Sequence, residues 1–146
     1  MKTRVFIIIV FTLALTLAAQ FVNTSTGASP TYSARLISPT AGQVLHPGQV
    51  VRVEWSSVLP KVRYFESCEA EVRLSLDGGN TFPIRISPWL TAKVHSFLWT
   101  VPNTPTNAAV VDIRFGCEPL YPESFSPQSQ SMFVIAQGQT GTEVLR

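Results

Sequence analysis

The side chains in this sequence able to do chemistry are two cysteines, two histidines, scattered carboxylates and a set of aromatic rings, and their spacing decides which chemistry. Cys68 and Cys117 have no histidine close by. An even pair of that kind is best read as a disulfide in an oxidising compartment, because two lone thiols make a poor metal site. His46 precedes Pro47-Gly48 and reads as a turn residue, while His95 takes the polar position at the start of a strand. The sequence contains no Gly-x-Ser-x-Gly elbow, no His-Glu-x-x-His pair and no phosphate-cradling glycine loop. Glu69 and Glu71 share one face of a strand, but that face should be wet and lie opposite basic residues. No catalytic residue, metal ligand or cofactor is therefore assigned, and a non-enzyme is expected; a small hydrolase built from residues distant in sequence is the less favoured alternative.

The most specific local motif is Ser75-Leu76-Asp77-Gly78-Gly79-Asn80-Thr81-Phe82, which fits the Asp-box pattern S-x-D-x-G-x-T-[WF]. Asp77 can accept turn N–H groups, the glycines allow positive φ, and Phe82 can pack back over the hairpin. A structural turn is the expected role. Calcium held by Asp77 and Asn80 is disfavoured, since a hard cation takes six or more oxygens and one aspartate supplies too few. Trp89 follows Pro88 in the turn-like stretch Ile86-Ser87-Pro88-Trp89-Leu90-Thr91, where an exposed ring can stack on a sugar or anchor a partner. Tyr64, Phe65 and Tyr121 also sit in irregular segments and join Trp89 as candidate ligand-binding residues. The competing role for these rings is to cover the open ends of a small core.

These side chains must be positioned by strands, because no stretch has helical periodicity and eleven prolines and eight glycines punctuate the chain. Val51, Val53 and Trp55 alternate with Arg52 and Glu54. Ala70, Val72, Leu74 and Leu76 alternate with Glu69, Glu71, Arg73 and Ser75. Phe97, Trp99 and Val101 alternate with Leu98 and Thr100, and Val111, Ile113 and Phe115 with Asp112 and Arg114. Each is a strand with one buried and one wet face, and Trp55 and Trp99 fall on buried parity. Shorter candidates at 35–38, 83–86 and 131–136 bring the expected number to about seven. That pattern predicts an all-β, immunoglobulin-like or fibronectin type III-like sandwich of antiparallel strands. Both cysteines pass a parity check: Cys68 shares the inward face with Ala70 and Val72, and Cys117 with Phe115 and Ile113. Antiparallel pairing with Cys68 opposite Cys117 sets Glu71 opposite Arg114 and Arg73 opposite Asp112, two complementary charge pairs from one register.

Lys2 and Arg4 precede an apolar run over 5–19 that ends on Leu17-Ala18-Ala19, the order of a secretory signal peptide. Cleavage is expected; retention as an anchor is the alternative, since the run extends through 20–22 to about the 18 residues of a short span. Loss of 1–19 removes two of eleven basic and none of nine acidic residues, leaving a neutral mature chain. Nothing in that balance favours nucleic acid or anionic lipid as a partner. Residues 20–33 read as a flexible polar leader that includes the sequon Asn23-Thr24-Ser25, residues 34–136 as the single domain, and 137–146 as a polar tail. A secreted or periplasmic monomer with no membrane span after signal cleavage is expected.

Ile37-Ser38-Pro39 followed by Gly42-Gln43-Val44-Leu45, then Gly48 leading to Val53-Glu54-Trp55, then the hairpin 75–82, then Leu98-Trp99-Thr100-Val101-Pro102 appear in order. This series resembles the immunoglobulin-like, fibronectin type III-like domain of secreted and surface proteins related to the N-terminal domain of the yeast Kre9/Knh1 cell-wall proteins, over about residues 35–136. The resemblance implies an accessory module of the cell envelope, in the fungal members linked to cell-wall glucan assembly. The chain departs from those members in lacking a Ser/Thr-rich stalk. Residues and resemblance together predict a non-catalytic binding module for an envelope protein or polysaccharide, with a purely structural envelope component as the alternative.

Overall fold

A computed structural model describes residues 31–138, so the signal, most of the leader with Asn23, and the end of the tail lie outside the described residues. Ten strands form among the described residues: β1 (Ser33–Ser38), β2 (Val44–Leu45), β3 (Val50–Val58), β4 (Glu69–Ser75), β5 (Ile84–Arg85), β6 (Leu90–Thr91), β7 (Ser96–Thr100), β8 (Thr106–Cys117), β9 (Tyr121–Ser124) and β10 (Phe133–Ile135). The four alternating segments and the three shorter candidates are all present; β2, β6 and β9 are short additions. Helical structure among the described residues is confined to single 3-10 turns at Phe65–Ser67 and Ser129–Ser131.

One sheet has the order β1-β3-β7, and a second runs β2-β10-β8-β4-β5, with β6 also on β4 and β9 also on β8. Pairing is antiparallel except between β2 and β10, which run parallel. The inward residues Val53, Trp55 and Trp99 of the first sheet meet Val72, Leu74, Ile113 and Phe133 of the second in one core, with Trp99 packed edge-on against Phe133. Alternation produces this arrangement directly: each strand offers every second residue to the space between the sheets. A second, smaller cluster closes one end of the sandwich, where Tyr32, Phe115 and the two cysteines are buried and Phe65 and Tyr121 pack against them. Tyr32 and Ser33 thus belong to the domain, although their polar surroundings read as the end of the leader. The Tyr32 hydroxyl donates to the Ile113 carbonyl at 2.9 Å, and burial, aided by the Asp112 charge, pushes this phenol well above its ordinary pKa.

The β4–β8 register is the one the cysteine parity implies. Glu71 faces Arg114 and Arg73 faces Asp112, and Cys68 is bonded to Cys117 with the Cα atoms 4.2 Å apart. Of the two facing pairs only one meets straight across, Arg114 lying 4.0 Å from Glu71, and the closer contacts run along the strands. Arg73 reaches along its own strand to Glu71 at 3.0 Å, and Arg114 along its own strand to Asp112 at 2.8 Å. Asp112 is also not on a wet face; it is only 2% exposed. Its carboxylate accepts the Ser126 N–H at 2.8 Å as well as the guanidinium, so it is a buried but satisfied ion.

The 75–82 segment forms the tight turn that its composition suggests. Gly78 and Gly79 have φ of 77° and 91°, the left-handed region where a side chain is disfavoured. Ser75, expected on the wet side, is fully buried because the chain turns there and its hydroxyl becomes a hub. The Ser75 hydroxyl accepts the Gly79 N–H at 2.8 Å and donates to Asp77 Oδ1. Asp77 Oδ1 also accepts the Thr81 N–H at 3.0 Å, and Oδ2 accepts the Thr81 hydroxyl at 2.6 Å. The Ser75 hydroxyl and then the Thr81 hydroxyl hold this carboxyl well below the usual carboxylate range. The turn folds back on the sheet: a Cβ on Gly79 would lie 3.7 Å from both the Phe82 ring and Val110 Cγ1. Ser75→Ala strands the Gly79 N–H and is expected to cost about 1–3 kcal/mol in denaturant unfolding. Because Asp77 is more acidic folded than unfolded, its stabilisation is full above the ordinary carboxylate pKa near 4 and fades as pH falls below it. Asp77→Asn should accordingly flatten the acid limb of stability between pH 4 and lower values.

Candidate functional site

On the outer face of the β4–β8 pair, at the disulfide end, lies an open groove of about 770 Å³. Its floor follows from strand alternation: with Ala70 and Phe115 turned into the core, Glu69 and Glu71 of β4 and Arg114 and Gly116 of β8 must point outward. Gly116 leaves the floor without a side chain; a Cβ there would come into ordinary contact with Glu123, 3.5 Å from its Cα. Trp89 forms one wall, and Tyr121, Pro122 and Glu123 on β9 form the other.

Trp89 is 76% exposed. It is nevertheless fixed in direction, because the Arg85 guanidinium stacks over one face of the indole at 4.0 Å from the ring centroid. Arg85 is itself tied down, donating to the Ser87 and Pro88 carbonyls at 3.2 and 3.1 Å and lying 3.5 Å from Glu71. From Glu71 the network crosses the floor. Arg114 lies 4.0 Å from Glu71 and 3.3 Å from Glu123 on the far wall, and stacks over Phe125 at 4.7 Å. A linked row of donors and acceptors therefore runs from the aromatic wall to β9. Such a surface can stack a flat ring on Trp89 while hydrogen-bonding hydroxyl groups along the floor.

The structure brings together only part of what the sequence proposes. Trp89 and Tyr121 line the groove, though Tyr121 also packs edge-on against Phe115 with ring centroids 5.6 Å apart. Phe65 does not belong to the site. It stacks on Phe115 at 6.3 Å and covers the core, the role that competes with ligand binding for such rings. Tyr64 is 71% exposed and stands apart from the groove, in a left-handed conformation at φ 60° that turns the chain so that Phe65 points inward and Cys68 reaches its partner. Cys68 is buried, and Cys117 closes the groove at the disulfide end. The turn residues Ser75, Asp77, Gly78, Gly79, Thr81 and Phe82 do not line it.

Arg85, Arg114 and Glu123 are site residues that sequence reasoning missed. Arg85 sits four residues before Trp89 in a segment rich in turn residues, so its stacking depends on a chain reversal that periodicity cannot show. His95 Nε2 lies 3.1 Å from Ser57 Oγ, a pairing also invisible in the sequence, and neither residue borders the groove. Among the described residues no three His, Cys, Asp or Glu side chains are grouped to hold a metal ion, and no helix is long and apolar enough to cross a membrane.

Fold and site define a disulfide-linked all-β sandwich with an aromatic-walled polar groove on one sheet. No family model matches the chain, and no curated protein is significantly similar to it.

Proposed function

We propose that this chain is an exported, non-catalytic binding module of the cell envelope that holds a polysaccharide in the groove beside Trp89. The observation that carries this reading is the Trp89 indole, presented to solvent at 76% exposure with its other face backed by Arg85. A sugar ring offers an apolar C–H face for such a platform and a rim of hydroxyls for alternating carboxylates and guanidiniums. Glu71 is engaged by Arg73, Arg85 and Arg114, which holds its carboxylate in the floor of the groove as a hydrogen-bond acceptor. The disulfide suits an oxidising compartment, and the resemblance to the Kre9/Knh1-type domain supports placement in an envelope. A purely structural role is the second reading, favoured by the open edge of β7.

Retention of the mature chain on insoluble envelope polysaccharides tests the proposal. Wild type should bind saturably, and Trp89→Ala should weaken retention at least about tenfold, as loss of a central aromatic anchor does. Retention unaffected by Trp89→Ala would remove the groove from consideration. No retention of wild type on any polysaccharide would overturn the ligand class.

A further inference from the structure

Strand edges differ sharply across this molecule. In the larger sheet β2, β5 and β6 have two residues each, too short to template another strand, and the four-residue β9 edge carries Pro122 and Glu123, a proline and a charge that oppose pairing. The β1 edge is filled by side chains: Ser126 Oγ and Gln128 Oε1 accept the Ala34 and Leu36 N–H groups at 3.0 and 2.8 Å, and Gln128 Nε2 donates to the Ala34 carbonyl at 3.0 Å. The β7 edge has no such cover among the described residues. The Trp55 N–H bonds the His95 carbonyl and the Val101 N–H bonds the Gln49 carbonyl, at 3.0 and 2.9 Å. With the β3–β7 register this phases the ladder so that odd-numbered residues of β7 bond β3, and Ser96, Leu98 and Thr100 aim N–H and C=O groups outward. The strand, Ser-Phe-Leu-Trp-Thr, contains neither a charge nor a proline, the usual devices against pairing. Leu98 at its centre is 66% exposed, and Val50 beside Thr100 is also exposed.

We propose that β7 is a self-association edge at which two copies of this chain pair antiparallel about Leu98, joining the two three-stranded sheets into one. The edge is its own complement. Leu98 falls opposite the second copy's Leu98, and Ser96 opposite its Thr100 in both directions, so that three facing pairs exchange about six backbone hydrogen bonds. The neighbouring charges permit it. Arg52, beside Leu98 on β3, lies three strand spacings from its counterpart, roughly 14 Å, so the like charges are largely screened. This revises the monomer that the sequence alone suggests, and it does not depend on the groove reading.

Sedimentation equilibrium of the mature chain across micromolar to millimolar concentration tests the proposal. Wild type should rise toward twice the monomer mass. Leu98→Lys and Leu98→Glu, which each set like charges face to face, should weaken association at least about tenfold while keeping the wild-type melting temperature, since Leu98 is outside the core. An equimolar mixture of the two variants should associate again as a one-to-one pair. Trp89→Ala should associate like wild type, which separates this test from that of the groove. A wild type that stays monomeric up to millimolar concentration, or variants that associate as wild type does, would overturn the proposal.

Discussion

Replacing both cysteines by alanine should lower the unfolding free energy by about 4 kcal/mol. The bond joins residues 49 apart in sequence, and the loop it closes in the unfolded chain loses that much conformational entropy relative to an open one. Alanine is the informative substitute because both sulfurs are buried among Tyr32, Phe65, Phe115 and Tyr121, where a serine hydroxyl would add an unrelated desolvation cost. For a domain of this size the change corresponds to a melting temperature lower by roughly 15–30 °C. Guanidinium unfolding of Cys68→Ala/Cys117→Ala against oxidised wild type measures it. A loss below about 1 kcal/mol would mean that the aromatic cluster, and not the crosslink, holds this end of the sandwich. The effect should reach the groove, since Cys117 closes one end of it and Cys68 anchors the start of β4, whose Glu69 and Glu71 form its floor. Polysaccharide retention should thus weaken in the same variant, below its own melting temperature.

What alternation can and cannot reveal is visible on β4 and β8. The register could be read from the cysteines because side-chain period in a strand is fixed at two, so inward parity on two strands leaves few ways to pair them. The same rule fails at Val110 and Asp112, within a run of five consecutive buried residues from Ala109 to Ile113. Alternation assumes that one face is wet, and here it is not: the 77–82 turn folds over Val110, and Arg114 with the 126–128 segment covers Asp112. The signal available was the run Ala108-Ala109-Val110-Val111, whose continuous apolar character points to a strand covered on both sides. Trp89 was legible as an exposed ring because Pro88 marks a turn; Arg85 beneath it was not, since that contact requires the tertiary path of the chain. Tyr32 was hidden for a similar reason, because a single aromatic residue in a polar stretch carries no periodicity.

Asp112 is the residue whose removal should have the second large effect, and its consequences reach beyond one ion pair. Asp112→Ala leaves Arg114, only 16% exposed, without its closest carboxylate and the Ser126 N–H without an acceptor. Breaking a buried pair by removing one partner costs about 3–5 kcal/mol where the remaining charge is left uncompensated, and the low end of that range is expected because Glu123 at 3.3 Å and Glu71 at 4.0 Å still face Arg114. Asp112→Asn keeps an acceptor for Ser126 while losing the charge, and should cost roughly half as much. The distinguishing readout is local. Ser126 and Gln128 fill the hydrogen-bonding edge of β1, so releasing Ser126 from β8 should unfasten that cover as well. Hydrogen exchange at Ala34 and Leu36 should accelerate in Asp112→Ala well before global unfolding, while Val53 and Val72 in the centres of their strands stay protected. A uniform acceleration across all four positions would show instead that Asp112 supports the whole sandwich equally. The local outcome would mean that one buried carboxylate keeps β1 closed as an edge, leaving β7 as the only long edge, among the described residues, on which a second strand can be added.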